Sequence, residues 1–209
     1  MIARLARTLG LLVAAAAVST GCVTGERPTL ANAAATTGDA AADAVLQRLD
    51  RAAGATFTAA YRVDTSRDGV TTSASVSQEG PTRRSVTIGE VQYLSTGDGT
   101  STCTTLGGCA DGLDPTRVSD LQVTPTLDAA SPAARLRADV PRATGPPVAS
   151  TETIAGQPAV CVTVPLVPTG TTVCALDSGP LARLVAADVR VELTSFTATV
   201  EEAAFVKSG

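Results

Sequence analysis

The sequence predicts an α+β domain in which an antiparallel sheet packs against an N-terminal helix, with a short helical insertion between two groups of strands. Three observations predict this. Apolar residues recur at helical spacing over Ala40 to Ala53, they alternate with a period of two from Phe57 onwards, and the alternation stops between Gly107 and Pro147 before strands resume. A chain of 209 residues favours one compact domain.

The first helix has clear start and stop signals. Asp39 offers an N-cap, and Gly54 is placed to end the helix. One face carries the apolar residues that must pack on something, and the opposite face is largely polar. The residues of the apolar face are Ala42, Val45, Leu46, Leu49 and Ala53.

The remaining elements follow from alternation and turn residues. Two short helices are expected at Asp114 to Leu121 and Ser131 to Asp139, the second with Ser131 as N-cap. The expected strands are Thr56 to Val63, Val70 to Ser77, Arg84 to Ile88, Val91 to Ser95, a Thr-rich strand ending at Thr105, Val148 to Ile154, Ala159 to Pro165, Thr171 to Leu176, Leu181 to Ala186 and Val189 to Thr199.

The N-terminus is typical of an export signal. Arg4 and Arg7 precede an apolar run from Leu9 to Val18, which is too short to span a bilayer. Gly21 and Cys22 follow, and this stretch resembles the bacterial lipoprotein signal, or lipobox, in which the Cys is acylated and becomes the mature N-terminus. The resemblance implies a signal peptide over 1–21, a lipidated Cys22 with a flexible tether over 22–38, and a domain over 39–209. An ordinary secretory signal cleaved near Ser19 is the alternative.

The five cysteines fit this interpretation. An exported chain with an odd number leaves one unpaired, and lipidation of Cys22 would account for it. Cys161 and Cys174 flank a hairpin and face each other in a symmetric register, while Cys103 and Cys109 enclose a Gly-containing loop. Two disulfides are therefore expected, since neither spacing is usual for a metal site and the compartment is oxidising.

Composition excludes several functions. The chain has no His, which removes Ser-His-Asp and Cys-His catalysis and His-ligated metals. Five aromatic residues and a net charge of −4 argue against nucleic acid. Removal of Arg4 and Arg7 with the signal leaves 14 basic and 20 acidic residues, so the acyl anchor rather than a basic patch would hold the domain at a membrane. We expect no enzyme, no cofactor and no metal.

The order of elements resembles the half-barrel lipoproteins and lipoprotein carriers of the LolA and LprG type. In that family a curved antiparallel sheet wraps a helix and holds acyl chains of lipids. The resemblance covers about Ala40 to Phe205 and implies a cell-membrane protein, anchored on the extracytoplasmic face, that binds or carries a lipid or other hydrophobic ligand. By position, the cavity-lining candidates are Val45, Leu46, Leu49, Phe57 and Tyr61.

Two alternatives stay open at this point. Small inward residues permit either a thin closed core or an open apolar concavity. A closed core would favour a non-catalytic module that contacts an envelope protein through an exposed sheet edge or the helical insertion. A hydrolase would require a carboxylate pair facing one cleft.

Overall fold

A single sheet of eleven strands organises the part of the chain that the computed structural model describes, residues 36–66 and 68–208. The strand order is β6-β5-β4-β3-β2-β1-β11-β10-β9-β8-β7, and all neighbours are antiparallel. The strands are β1 (Thr56–Thr65), β2 (Thr71–Glu79), β3 (Arg83–Ile88), β4 (Val91–Thr96), β5 (Gly99–Thr104), β6 (Gly108–Asp111), β7 (Val148–Ile154), β8 (Gln157–Val164), β9 (Thr171–Leu176), β10 (Leu181–Val185) and β11 (Val189–Thr197). The helices are α1 (Ala40–Arg51) and α2 (Ala130–Asp139).

The sheet consists of two meanders joined at one seam. Strands β1 to β6 form the first and β7 to β11 the second, and pairing of β1 with β11 joins them. Strands β6 and β7 remain at the two ends, so the curved sheet does not close into a barrel. The predicted α+β half-barrel, with its N-terminal helix and helical insertion, is confirmed.

The first helix lies against the second meander. The Asp39 side chain accepts hydrogen bonds from the amides of Ala41 and Ala42, as an N-cap does. Helix α1 packs against α2 and strands β7 to β9. Its end meets the β9–β10 turn closely: at Gly179 (φ +122°) a Cβ atom would lie 2.8 Å from the amide nitrogen of Ala52. A glycine is required at this approach because both the space and the backbone conformation exclude a side chain.

Residues 112–129, which we call the cover segment, lie over the first meander. A 3-10 helix at Pro115–Leu121 contacts β1, and Val118, Val123 and Leu127 join the buried core. They cover the inner face, which we define as the face of the sheet that also carries α1 and α2. The inner-face row Ala59, Val76, Val86 and Tyr93 is fixed by strand register and is buried.

The C-terminal residues 198–208, the C-terminal segment, cross the opposite or outer face. The Gln92 side chain donates to the carbonyl of Val206 (3.1 Å) and accepts from the amide and hydroxyl of Ser208. Arg83 donates two hydrogen bonds to Glu202, and its guanidinium lies 4.2 Å from the ring centre of Phe205. These contacts explain why serines of the outer face are buried.

Local details differ from the sequence prediction. At the end of the first helix, Ala53 of the predicted apolar face is exposed, and Ala52 is buried instead. The predicted α2 cap is wrong: α2 begins at Ala130, and the Ser131 hydroxyl lies within hydrogen-bonding distance of Thr124 and Thr126 in the preceding loop. Strand β6 was not predicted because Gly108–Asp111 lacks apolar alternation and is exposed throughout. The start of α2 and strand β6 both depend on contacts with residues several positions away in the sequence, which local patterns do not indicate.

The export signal, Cys22 and residues 22–35 of the tether lie outside the described residues. Within the described residues, no helix is long and apolar enough to cross a membrane.

Candidate functional site

The five apolar candidates lie together in the buried core. Val45, Leu46 and Leu49 come from α1, and Phe57 and Tyr61 come from the inner face of β1. All five are at most 3% exposed. Almost none of their surface is therefore open to water, either from outside or from within a cavity. In this conformation protein atoms fill the space beside these five side chains.

Both disulfides expected from the sequence are present. Cys161 lies opposite Cys174 on β8 and β9, with their Cα atoms 3.9 Å apart, and Cys103 lies opposite Cys109 on β5 and β6. Glu152 lies close enough to Cys161 and Cys174 for the three to form a metal-sized group. Because the two sulfurs are bonded to each other, they offer no thiolates, and the group is not a metal site.

An ion pair between Arg84 and Asp128 holds the cover segment on the sheet. The guanidinium of Arg84, on β3, donates to both carboxylate oxygens of Asp128, to the carbonyl of Pro125 (3.1 Å) and to the side chain of Gln78. Asp128 is 1% exposed and Arg84 is 24% exposed at the side chain. The Asp128 carbonyl also accepts from the amide of Leu181 (2.6 Å). We call the Arg84–Asp128 pair the latch.

A pocket of about 250 Å³ opens beside the latch, at the end of the half-barrel, and we call it the end pocket. Its walls are the end of α1 at Ala52 and Ala53, the β2–β3 turn at Gly80 and Pro81, and the junction of the cover segment with α2 at Ala129. Most of the exposed wall surface is apolar, and Gln78, Arg84, Ser95, Thr126 and Asp128 contribute the polar groups. Ligand pockets commonly measure about 300–1,000 Å³. In this conformation the end pocket therefore suits a small ligand or a single acyl chain.

The hydroxyl of Tyr61 is buried without a hydrogen-bond partner. Burial, together with the negative charge of Asp128, raises the pKa of Tyr61 well above its usual value near 10, against the opposing effect of Arg84. The side chain thus stays neutral and keeps an unused donor close to the latch. A buried hydroxyl in this state costs free energy that a hydrogen-bond acceptor would recover.

A second cleft, of about 390 Å³, lies on the outer face between the β4–β5 turn and the C-terminal segment. Asp98, Asp111 and Lys207 line it together with Phe205 and Leu94. Two acidic residues and one lysine therefore line the same cleft. The lining mixes both charges and hydroxyl groups, in contrast to the apolar end pocket.

The five apolar candidates from the sequence lie in the filled core, and none of them lines the end pocket. The polar residues of the end pocket were not predicted either. Gln78, Arg84 and Asp128 come from a strand, a neighbouring strand and a loop 44 residues further on. No spacing motif joins them, since the pairing exists only after the cover segment folds back. A signal was available in Arg84 alone, a charged residue at an inward position of a predicted strand.

Comparisons with solved structures concern the fold. MucB, solved in complex with MucA(peri), matches with a TM-score of 0.50 and 14% identity over 79% of this chain and 59% of that chain. The lipoprotein LppX of Mycobacterium tuberculosis matches with a TM-score of 0.41 and 15% identity over 76% of this chain and 96% of that one. A LolA superfamily protein of Nitrosomonas europaea matches with a TM-score of 0.39 and 12% identity over 78% of this chain and 97% of that one.

The chain thus spans about three fifths of the length of the MucB chain it matches. No protein-family model matches the chain, and no curated protein matches its sequence. At these identities the likeness defines a fold class that has several uses, so function has to be argued from the site.

Proposed function

We propose that this protein is a non-catalytic, exported lipoprotein whose half-barrel binds or carries a lipid or another hydrophobic molecule. The observation that carries the proposal is the apolar end pocket beside the cover segment. One wall of this pocket belongs to the segment that closes the inner face of the first meander. A ligand chain seated there reaches the apolar inner face once that segment moves.

Two features support access by this route. The latch, with Gln78 and Pro125, holds the C-terminal end of the cover segment on the sheet. Hydrogen bonds of Thr102 and Tyr93 hold its other end, at Gly112 and Asp114. Behind the latch, the Tyr61 hydroxyl offers an unused donor to a ligand carbonyl, ester or carboxylate oxygen. The five apolar candidates would then line the deeper part of an opened half-barrel.

The anchor belongs to the same proposal. Acylation of Cys22 would hold the domain at the extracytoplasmic face of the cell membrane, because two or three acyl chains give stable binding where one does not. Detergent phase partitioning tests this directly. The wild-type chain should enter the detergent phase and C22S should remain in the aqueous phase; identical partitioning would refute the anchor.

Native mass spectrometry tests ligand binding. We expect the exported C22S chain to carry a discrete mass of several hundred daltons, removed by organic extraction. The variant A129F fills the end pocket and should lose this mass, whereas A134F adds the same side chain at an exposed position of α2 and should keep it. A bare polypeptide before and after extraction would refute the ligand proposal.

A second candidate function is a module that binds an envelope protein. The filled core and the fold shared with MucB, which was solved bound to another protein, favour it. Photo-crosslinking in cells tests it, with the crosslinker at the exposed Ser119 of the cover segment and, as a control, at the exposed Ser75 of β2. One discrete adduct from Ser119 alone is expected if the cover segment is the contact; equal labelling at both positions would argue against it.

A further inference from the structure

Strand β7 is an open edge of the sheet. It has seven residues, Val148–Ile154, and pairs with β8 in a continuous register without a bulge. All residues except Ile154 are exposed, on both faces. Natural proteins protect such edges with short strands, prolines, bulges or inward-pointing charges, because the free peptide groups attract another strand. At β7 the strand is long and regular.

The register identifies which peptide groups are free. The short Cα separation of 3.9 Å between Cys161 and Cys174 marks a non-hydrogen-bonded pair, so the peptide groups of Cys161 point away from β9 and towards Ser150. Pro158 lies an odd number of residues before Cys161 on β8, so its carbonyl should point the other way, towards β9. It does so, because it accepts a hydrogen bond from the amide of Asp177 at the end of β9. Every second residue of β7, counted from Ser150, therefore bonds to β8.

Ala149, Thr151 and Thr153 consequently direct their N–H and C=O groups to the free edge. Within the described part of the chain, no hydrogen bond reaches these six groups. Their side chains are small and exposed, so they leave room for a neighbouring strand.

The one charge on β7 does not guard the edge. The Glu152 carboxylate accepts a hydrogen bond of 2.6 Å from Arg183 on β10, three strands further into the sheet. This ion pair draws the carboxylate across the outer face and away from the edge. What remains at the edge is uncharged.

We propose that β7 pairs with β7 of a second copy of this chain, antiparallel and about a two-fold axis at Thr151. In this register Thr151 faces Thr151 of the partner, and Ala149 faces Thr153, so all six free groups on each copy are satisfied. Val148 would face Ile154, and Glu152 would face Ser150. No like charges are opposed, and the strand is therefore complementary to itself.

The other edge lacks these properties. Strand β6 has four residues, and a disulfide ties it to β5 directly at Cys109. Shortness is one of the ways in which edges are protected. Strand pairing buries less surface than the 1,200 Å² or so of a stable interface, so we expect a concentration-dependent dimer. Co-anchoring at one membrane would raise its population through effective concentration.

Single cysteines test the register. In the exported C22S chain, T151C places two thiols on the two-fold axis at about 5.5 Å between Cα atoms, within the range of a disulfide. A149C, on the same edge, places its two copies about 14 Å apart along the strands. We expect T151C to form a covalent dimer at least about tenfold faster than A149C under mild oxidation. Equal rates, or faster dimerisation of A149C, would overturn the proposed pairing.

A proline variant tests the edge without a new thiol. T151P removes an N–H that faces solvent in the monomer, and an edge strand tolerates proline at such a position. All variants are made in the C22S chain. Sedimentation velocity should show a dimer for the chain with the native β7 and for T151V, and a monomer for T151P. The three proteins should have the same circular dichroism spectrum. The proposal fails if wild type remains a monomer at 500 µM, or if T151P still dimerises. The proposal would also be overturned if the chain remained a monomer and bound an unrelated extended peptide at β7, because that peptide and not a second copy would then be the partner of this edge.

Discussion

Breaking the latch from its two sides should have unequal effects on stability. R84M removes the cation and leaves the Asp128 carboxylate, which is 1% exposed, without a counter-ion. D128N leaves Arg84 with an uncharged partner, and its side chain, 24% exposed, can turn towards water. The burial of the two partners therefore decides which variant is the more damaging.

The expected magnitudes follow from these burials. Removing one partner of a buried ion pair costs about 3–5 kcal/mol when the remaining charge stays buried, so R84M should lower the free energy of unfolding by this amount. D128N should cost about 1–3 kcal/mol, as expected for weakened hydrogen bonds. The double variant R84M/D128L leaves no buried charge and should be more stable than R84M alone.

Urea unfolding followed by circular dichroism measures the global effect, and hydrogen exchange locates it. We expect D128N to increase exchange at Val118 and Val123 in the cover segment more than in α1. R62M serves as a control, since Arg62 bonds to Asp64 on the exposed outer face and its loss should be nearly silent. If D128N proves more damaging than R84M, or if exchange rises equally in α1, the latch does not hold the cover segment as described.

Three further outcomes can be measured on the same chain. Y61F removes an unpartnered buried hydroxyl and should leave stability unchanged or raise it by about 1 kcal/mol. Above about pH 10 the phenol ionises in the unfolded chain, whereas the raised pKa keeps Tyr61 neutral in the folded protein, so wild type should lose stability there. Y61F should reduce this loss in urea titrations. Replacing Cys161 and Cys174 by Ala should lower the free energy of unfolding by about 3 kcal/mol relative to the oxidised wild type. Arg83 lowers the pKa of Glu202, so this contact should hold at neutral pH and weaken only when the pH falls below the usual titration range of a glutamate carboxyl. Hydrogen exchange of residues 200–208 should rise at that acid pH in wild type and already at neutral pH in E202Q.

The fold was largely predictable because its determinants are local. Alternation specified ten of the eleven strands, and the Asp39 cap with its apolar face specified α1. The Cys161–Cys174 disulfide followed from hairpin symmetry, since residues equidistant from a turn face each other. The Cys103–Cys109 disulfide followed from the short Gly-containing loop between the two cysteines. Strand β6 has no apolar alternation. Its register is set where Cys109 pairs with Cys103 on β5.

The candidate site was harder to predict because its chemistry is not local. Val45 and Tyr61 were recognisable as inward residues, but whether protein atoms or a ligand fill the space beside them depends on the cover segment. The sequence left a closed core and an open concavity as alternatives. Leu127 and Asp128 decide between them in this conformation, one by filling the inner face and the other by pairing with Arg84.

Stability and ligand affinity should change in opposite directions when the latch is weakened. If a ligand chain reaches the inner face only after the cover segment moves, the apparent affinity is the intrinsic affinity reduced by the small fraction of open molecules. D128N favours the open state, so each 1.4 kcal/mol of local destabilisation should tighten binding of a fluorescent fatty acid about tenfold, until the open state predominates. A129F should weaken binding instead, because it fills the end pocket. A D128N chain that is less stable yet binds no more tightly would mean that ligands occupy the end pocket without moving the cover segment.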